Sequence, residues 1–197
     1  MPAGLVSVIG PPAAGKTTLS GWLAEELPAR LILEDYAGNP FLAASYLGRS
    51  EMALAAQLYF LFSRVGQLRA ADWPDAGAAV SDYGFCHDRI YAERVLTGSD
   101  LAVYNRLSAQ AAEQVRPPDL LVYLTAPVGL LLDRIARRGR PHERGFTREF
   151  IESLRPAYEA AAAAAECPVV TVDVSAVDLL GGPARGELLA GVREVLA

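Results

Sequence analysis

Short apolar runs alternate along this chain with longer segments whose apolar positions recur every three or four residues. Residues 5–9 are apolar and rich in β-branched side chains, which predicts a buried strand. Residues 18–27 follow with Leu19, Trp22, Leu23 and Leu27 at helical spacing, closed by Pro28. A second strand is predicted at 31–33, ending in Glu34 and Asp35. Helical segments are expected from Asn39 to about Leu47 and over 51–71, the latter nearly all apolar and therefore buried. A breaker at 72–77 precedes a third strand at 78–81, which ends in Asp82. Helices at about 88–96 and 100–115, a strand at 120–124 and a helix at 128–138 come next. An arginine-rich loop over 138–145 leads to a helix over 147–165, whose alanine run at 160–165 reads as its solvent side. A fifth strand at 169–172 and a last helix, entered through Gly181, Gly182 and Pro183 and ending near Leu196, complete the chain. Strands that alternate with helices predict an α/β fold, a parallel sheet with helices on both faces. The length of 197 residues suits one domain carrying a small lid.

Between the first strand and the first helix stands Gly10-Pro11-Pro12-Ala13-Ala14-Gly15-Lys16-Thr17, followed by Thr18. It fits G-x-x-x-x-G-K-[ST], the phosphate-binding P-loop, in the strand–loop–helix setting that motif requires. Glycines let backbone N–H groups curl around phosphate oxygens, and the helix N-terminus adds partial positive charge. Lys16 is then expected on the β- and γ-phosphates of ATP or GTP, and the Thr17 hydroxyl on Mg²⁺. Lys16 is also the sole lysine of the chain; every other basic residue is arginine. A composition that avoids lysine elsewhere keeps one where a compact charge on a flexible stem is needed.

The remaining composition mostly excludes. A net charge of −5 argues against non-specific nucleic-acid binding. Cys86 and Cys167 form no CxxC, which fits a reduced, cytoplasmic compartment without a metal cluster. No signal peptide is read at the N-terminus, and the longest apolar stretch, near 120–132, is too short to span a bilayer.

Ligands of open α/β sheets sit beyond the carboxyl ends of strands, where this chain places acids. Glu34 is the candidate general base with Asp35 second to it, and Asp82 the acid that holds Mg²⁺ directly or through water. In the long apolar helix Gln57 and Arg64 share one face. A glutamine presents a donor and an acceptor side by side, which suits a nucleobase edge, and Arg64 would need a buried carboxylate such as Asp88. The alternative is that Gln57 packs at the core edge and Arg64 extends to water. Arg134, Arg137, Arg138, Arg140 and Arg144 cluster around a helix end. Helix-terminal charge compensation accounts for one or two of them, and delivery onto a transferring phosphoryl group by a mobile segment accounts for those beyond Gly139. His87 and His142 read as polar surface residues, and Tyr59, Phe60 and Phe62 as core, with stacking on a base the alternative for some of these rings.

The chain resembles the deoxynucleoside kinase family, especially its bacterial deoxyguanosine and deoxyadenosine kinase members. The likeness rests on the P-loop, on Leu33-Glu34-Asp35 with Asn39-Pro-Phe-Leu42, on Tyr46, on the stretch from Gln57 to Arg64, on Ser81-Asp82, Asp88-Arg89, Pro118-Asp119, and on Arg138-Gly-Arg140-Pro-His-Glu143-Arg144. It implies a five-stranded parallel sheet, an arginine lid at about 138–146, ATP and Mg²⁺ as cofactors, and a homodimer. It implies Glu34 as the base that takes the 5′-hydroxyl proton, Tyr46 and Glu143 as sugar 3′-hydroxyl ligands, and Gln57, Arg64 and Asp88 as the base-recognition set. Arg138 and Arg140 resemble lid arginines, with Arg134 in support. Many members carry Glu-Arg-Ser after the third strand where this chain has Asp82-Tyr83-Gly84. Asp82 can keep the acidic role; Tyr83 cannot replace an arginine on phosphate, so Arg89 or a lid arginine is expected there. The expected reaction is phosphorylation of a purine deoxynucleoside or deoxycytidine at its 5′-hydroxyl. A monophosphate kinase of the thymidylate kinase type would need extra arginines beyond the second strand, and none stands between that strand and Arg49. A GTPase-like switch and a protein kinase each need a second lysine. An ATP-binding regulatory module without turnover remains as a third reading.

Overall fold

The computed structural model describes residues 4–73, 77–176 and 183–196, apart from the side chains of Ala71, His142, Pro183 and Ala184. Its strands are β1 (Gly4–Ile9), β2 (Arg30–Ile32), β3 (Ala78–Ser81), β4 (Leu120–Thr125) and β5 (Val169–Asp173). All pair in parallel in the order β2-β3-β1-β4-β5. Every residue of β1 is buried, as a central parallel strand covered by helices on both faces must be. Val6 pairs with Val80 on one side and Leu120 on the other. The edge strand β2 is only three residues long and exposes Arg30 and Leu31, which limits further pairing.

The helices are α1 (Lys16–Glu26), α2 (Leu42–Tyr46), α3 (Ala53–Leu68), α4 (His87–Val95), α5 (Gly98–Ala112), α6 (Val128–Arg138), α7 (Arg148–Ala163) and α8 (Pro183–Val195). Leu19 and Leu23 of α1, Leu131 of α6, Leu154 and Tyr158 of α7 and Val192 of α8 close the main core on β1 and β4. A second cluster joins α3, α4 and α5 through Leu61, Val65, Leu96 and Tyr104. Chain order steps from β1 to β3 on one side and to β4 on the other, so the crevice of the sheet opens beyond Ile9.

Three expectations are corrected. The segment read as one helix over 51–71 is a 3-10 turn at Ser50–Met52, then α3, then a second 3-10 turn at Ala70–Asp72. Backbone bonds to the segment 114–116 end it: Arg116 N–H donates to the Leu68 carbonyl at 2.8 Å and Ala70 N–H to the Gln114 carbonyl at 2.9 Å, around an isolated bridge between Arg69 and Val115. The helix expected from Asn39 starts only at Leu42, because Asn39 is a buried anchor: its Nδ2 donates to the Ala56 carbonyl at 3.0 Å and its Oδ1 accepts from Phe41 N–H at 3.1 Å. The alanine run leaves the helix after Ala163, and Ala161, Ala162 and Ala165 lean on the core. Gly181 and Gly182 lie outside the described residues.

Candidate active site

The loop between β1 and α1 turns through positive φ at Gly10 (146°), Ala13 (62°) and Gly15 (98°). Lys16, already the first residue of α1, folds back over this loop and donates from Nζ to the carbonyls of Gly10 at 2.8 Å and Pro11 at 3.0 Å. Burial lowers its pKa to about 8, with Asp82 opposing. Thr17 Oγ1 donates to Asp82 Oδ2 at 2.6 Å, and Asp82 Oδ1 accepts from the Glu34 backbone N–H at 2.9 Å. One carboxylate at the end of β3 thus ties the phosphate loop to the acid beyond β2. Burial raises the Asp82 pKa, and the bond from Thr17 opposes that shift.

Glu34 faces α3. Its carboxylate pairs with Arg64 Nη2, while Arg64 Nη1 donates to Asp88 Oδ1 at 2.6 Å. Arg64 and Asp88 are 4% and 1% exposed, and the Glu34 side chain 5%. Arg64 therefore does not extend to water. Gln57, 2% exposed, lies one α3 face with it. Burial raises the pKa values of the Tyr36, Tyr46 and Tyr91 hydroxyls, so all three stay protonated donors at neutral pH.

The segment after α6 closes the other wall. Glu143, 5% exposed on a 3-10 turn at Pro141–Glu143, accepts from Arg138 Nε at 3.0 Å and pairs with Arg138 Nη2, with Arg140 Nη1 at 4.0 Å. Arg140 lies over the Tyr36 ring at 5.6 Å, and Arg134 Nη1 donates to the Ala13 carbonyl at 3.3 Å. Phe146 meets Tyr46 edge-on at 5.2 Å, docking this segment against α2.

These walls enclose a cavity of about 730 Å³, the size of a small-molecule site. Lys16, Arg64, Arg134, Arg138 and Arg140 line it against three acids, Glu34, Asp82 and Glu143. The cavity is thus net positive in a chain of net charge −5, which suits a polyphosphate. Pro12, Ala13, Gly15, Thr17, Thr18, Tyr46 and Gln57 line it as expected. Gly10, Pro11 and Ala14 are buried within the loop and do not line the cavity, and Asp88 is tied to it through Arg64.

Other expectations fail. Asp35 turns away, accepting from Tyr59 Oη at 2.5 Å and Gly38 N–H at 2.8 Å. Arg89 points outward to Glu93 at 2.6 Å and does not serve in place of the missing arginine. Tyr83 is fully buried, its hydroxyl donating to Gln67. His87 is no surface residue but 1% exposed between Tyr91 and Tyr158, whereas Phe62 is 57% exposed. The His142 side chain lies outside the described residues. Phe60 lines the cavity, as the base-stacking alternative allowed, and Tyr36, Tyr91 and Phe146 line it unforeseen, as do Val174, Ser175 and Ala176. The last three follow β5, so the strand-end rule that found Glu34 and Asp82 also points to them.

A single cavity that joins a P-loop to a strand-end carboxylate is shared by many phosphotransferases; comparison with known proteins narrows it. The sequence profile of the family described as deoxynucleoside kinase matches residues 6–196. The chain belongs to the deoxynucleoside kinase family. This kinase is 30% identical to the deoxyguanosine kinase of Bacillus subtilis (strain 168), over 98% of each chain. It is 28% identical to the deoxyadenosine/deoxycytidine kinase of the same organism, over 89% of this chain and 85% of that one. Among solved structures, a deoxyadenosine kinase from M. mycoides with dCMP and a flexible dCDP bound superposes with a TM-score of 0.82 at 20% identity, over 98% of this chain and 100% of that one, a likeness of fold. The kinase is accordingly an enzyme that phosphorylates deoxynucleosides. Membership removes the non-catalytic reading, and the cavity gives the monophosphate kinase reading no support: Arg49 pairs with Glu51 at the surface. Among the described residues no helix is long and apolar enough to cross a membrane.

Proposed function

We propose that the chain transfers the γ-phosphoryl group of ATP to the 5′-hydroxyl of a purine deoxynucleoside or deoxycytidine. The observation that carries this reading is the order of groups along one cavity. Thr17 of the P-loop donates to Asp82, Asp82 accepts from the Glu34 backbone N–H, and the Glu34 carboxylate pairs with Arg64 on α3, the helix that also brings Gln57 to the cavity. The names of the relatives support a purine or cytosine base.

The 5′-oxygen attacks the γ-phosphorus, the bond to the β–γ bridging oxygen breaks, and the hydroxyl proton passes to Glu34. Lys16, Arg138 and Arg140 neutralise charge on the transferring group, and Arg134 supports the loop from Ala13. Thr17 and Asp82 present a hydroxyl and a carboxylate side by side, which fits Mg²⁺ shared with substrate phosphates. Bound there, Mg²⁺ would neutralise charge on the β- and γ-oxygens. Gln57 would read the base edge, and Tyr46 and Glu143 the sugar 3′-hydroxyl. We further propose that residues 1–197 act as one catalytic unit, that 138–146 is its lid, and that it works as a homodimer. Two free thiols fit a cytoplasmic location.

The test is product mass and ADP formation with Mg-ATP and a panel of deoxynucleosides and nucleoside monophosphates, alongside Glu34→Gln and Lys16→Ala. Turnover on a purine deoxynucleoside or deoxycytidine, reduced about 10²–10⁴-fold by Glu34→Gln, is expected. Turnover on monophosphates alone, or undiminished turnover in Glu34→Gln, would overturn it.

A further inference from the structure

We infer that Arg64 is the positioning residue for the Glu34 carboxylate, and that by holding Asp88 with the same guanidinium it couples the base end of the cavity to its reacting end. This inference rests on the reading of Glu34 as general base.

The backbone around Glu34 is fixed without Arg64. Its N–H is held by Asp82 Oδ1 at 2.9 Å, and the preceding carbonyl, of Leu33, accepts from Gln67 Nε2 at 3.2 Å. Gln67 is in turn fixed by the Tyr83 hydroxyl. These bonds place the Cα of Glu34 and leave the side-chain torsions open. The carboxylate is aimed by Arg64 Nη2, its one hydrogen-bond partner among the described contacts.

Arg64 is itself immobilised. Asp88 holds Nη1 at 2.6 Å, and the guanidinium carbon lies 5.3 Å from the Phe60 ring centre and 5.5 Å from that of Tyr83. Tyr83 stands in the place of the arginine that the family resemblance led us to expect. Its ring supports a cation supplied from α3 instead, and the outward Arg89 supplies none. A planar fork with two terminal nitrogens can hold two carboxylates 54 positions apart in the chain (34 and 88) and stack at the same time; an ammonium cannot. A carboxylate placed a fraction of an ångström off the attacking hydroxyl loses rate on every nucleoside, whatever its base.

A double-mutant cycle on the single-turnover rate, with saturating Mg-ATP and nucleoside, tests this. Arg64→Lys is expected to slow turnover about 10–100-fold on good and poor nucleosides alike. In a Glu34→Gln background the same change is expected to cost less than about threefold, because the group it positions is gone. If Arg64→Lys does not fold, Arg64→Gln combined with Asp88→Asn removes one buried anion with the cation and gives the same comparison. Losses that multiply, or a loss confined to KM for the preferred base, would overturn the inference and leave Arg64 as a base ligand. If Glu34→Gln alone leaves the rate intact, the reading of Glu34 as base fails instead, and the two failures are told apart.

Discussion

Replacing Gly10 by alanine puts a methyl group where the fold has no room. A Cβ built there lies 2.5 Å from the Leu124 carbonyl oxygen and 3.2 Å from Leu124 Cβ. Both obstacles belong to β4, a buried strand locked between β1 and β5, so neither yields as a flexible side chain would. The residue also sits at φ 146°, where a side chain is rarely tolerated. Backbone strain costs about 1–2 kcal/mol. Overpacking against a fixed strand adds about 1–3 kcal/mol. The sum of about 2–5 kcal/mol lowers the melting temperature by roughly 4–20 °C in a chain of this size. Activity suffers separately, because the Gly10 carbonyl accepts from Lys16 Nζ at 2.8 Å and any shift of that peptide moves the lysine. Thermal unfolding by circular dichroism, with isothermal titration of ATP, measures both. Gly139→Ala is the control: its φ is 65° but its Cβ would meet nothing within 4 Å, so only strain of about 1 kcal/mol is expected. Gly10→Ala melting within 2 °C of the parent and binding ATP as well, or melting no lower than Gly139→Ala, would refute the reasoning.

Burial holds the His87 pKa well below its usual value, with Lys16 and Arg64 adding repulsion, so the unfolded chain binds a proton that the fold refuses. Stability is complete above about pH 6.5 and falls below it; urea unfolding at pH 6.5 and 5.5 should show a drop about 1 kcal/mol larger in the parent than in His87→Phe. Equal drops would place His87 outside the acid limb. Gly38→Ala drives a methyl into Asp35 Oδ2 and Tyr59 Oη, opening the bond that shapes the loop bearing Glu34 and Tyr36. The nucleoside KM should rise several-fold while the ATP KM holds, and a parallel rise in both would contradict that assignment. Asp82→Asn keeps an acceptor for Thr17 but removes the charge, so turnover should fall about 10²-fold and its Mg²⁺ dependence move to higher concentration. An unchanged Mg²⁺ titration would dissociate Asp82 from the metal.

What could be read from the sequence is what depends on neighbours a few positions apart. Strand, loop and helix around Gly10–Lys16 follow from an apolar run, two glycines and a 3.6-residue period, and the alternation of such units dictates a parallel sheet. Glu34 and Asp82 were legible because strand ends converge on the crevice of such a sheet. Which of two adjacent acids enters that crevice was not legible, since Asp35 is diverted by Tyr59, 24 residues away. The 3-10 break before Ala70 depends on backbone bonds from a segment more than 40 positions on, outside any local window. His87 looked like a surface residue because only the packing of α4 on α7 buries it against Tyr158. Local pattern was therefore enough to specify a P-loop α/β kinase and most of its polar groups. The meeting of Arg64 with both Glu34 and Asp88 had to come from the packed fold, because a guanidinium finds its carboxylates by which helix faces pack together, and that is settled across tens of residues at once.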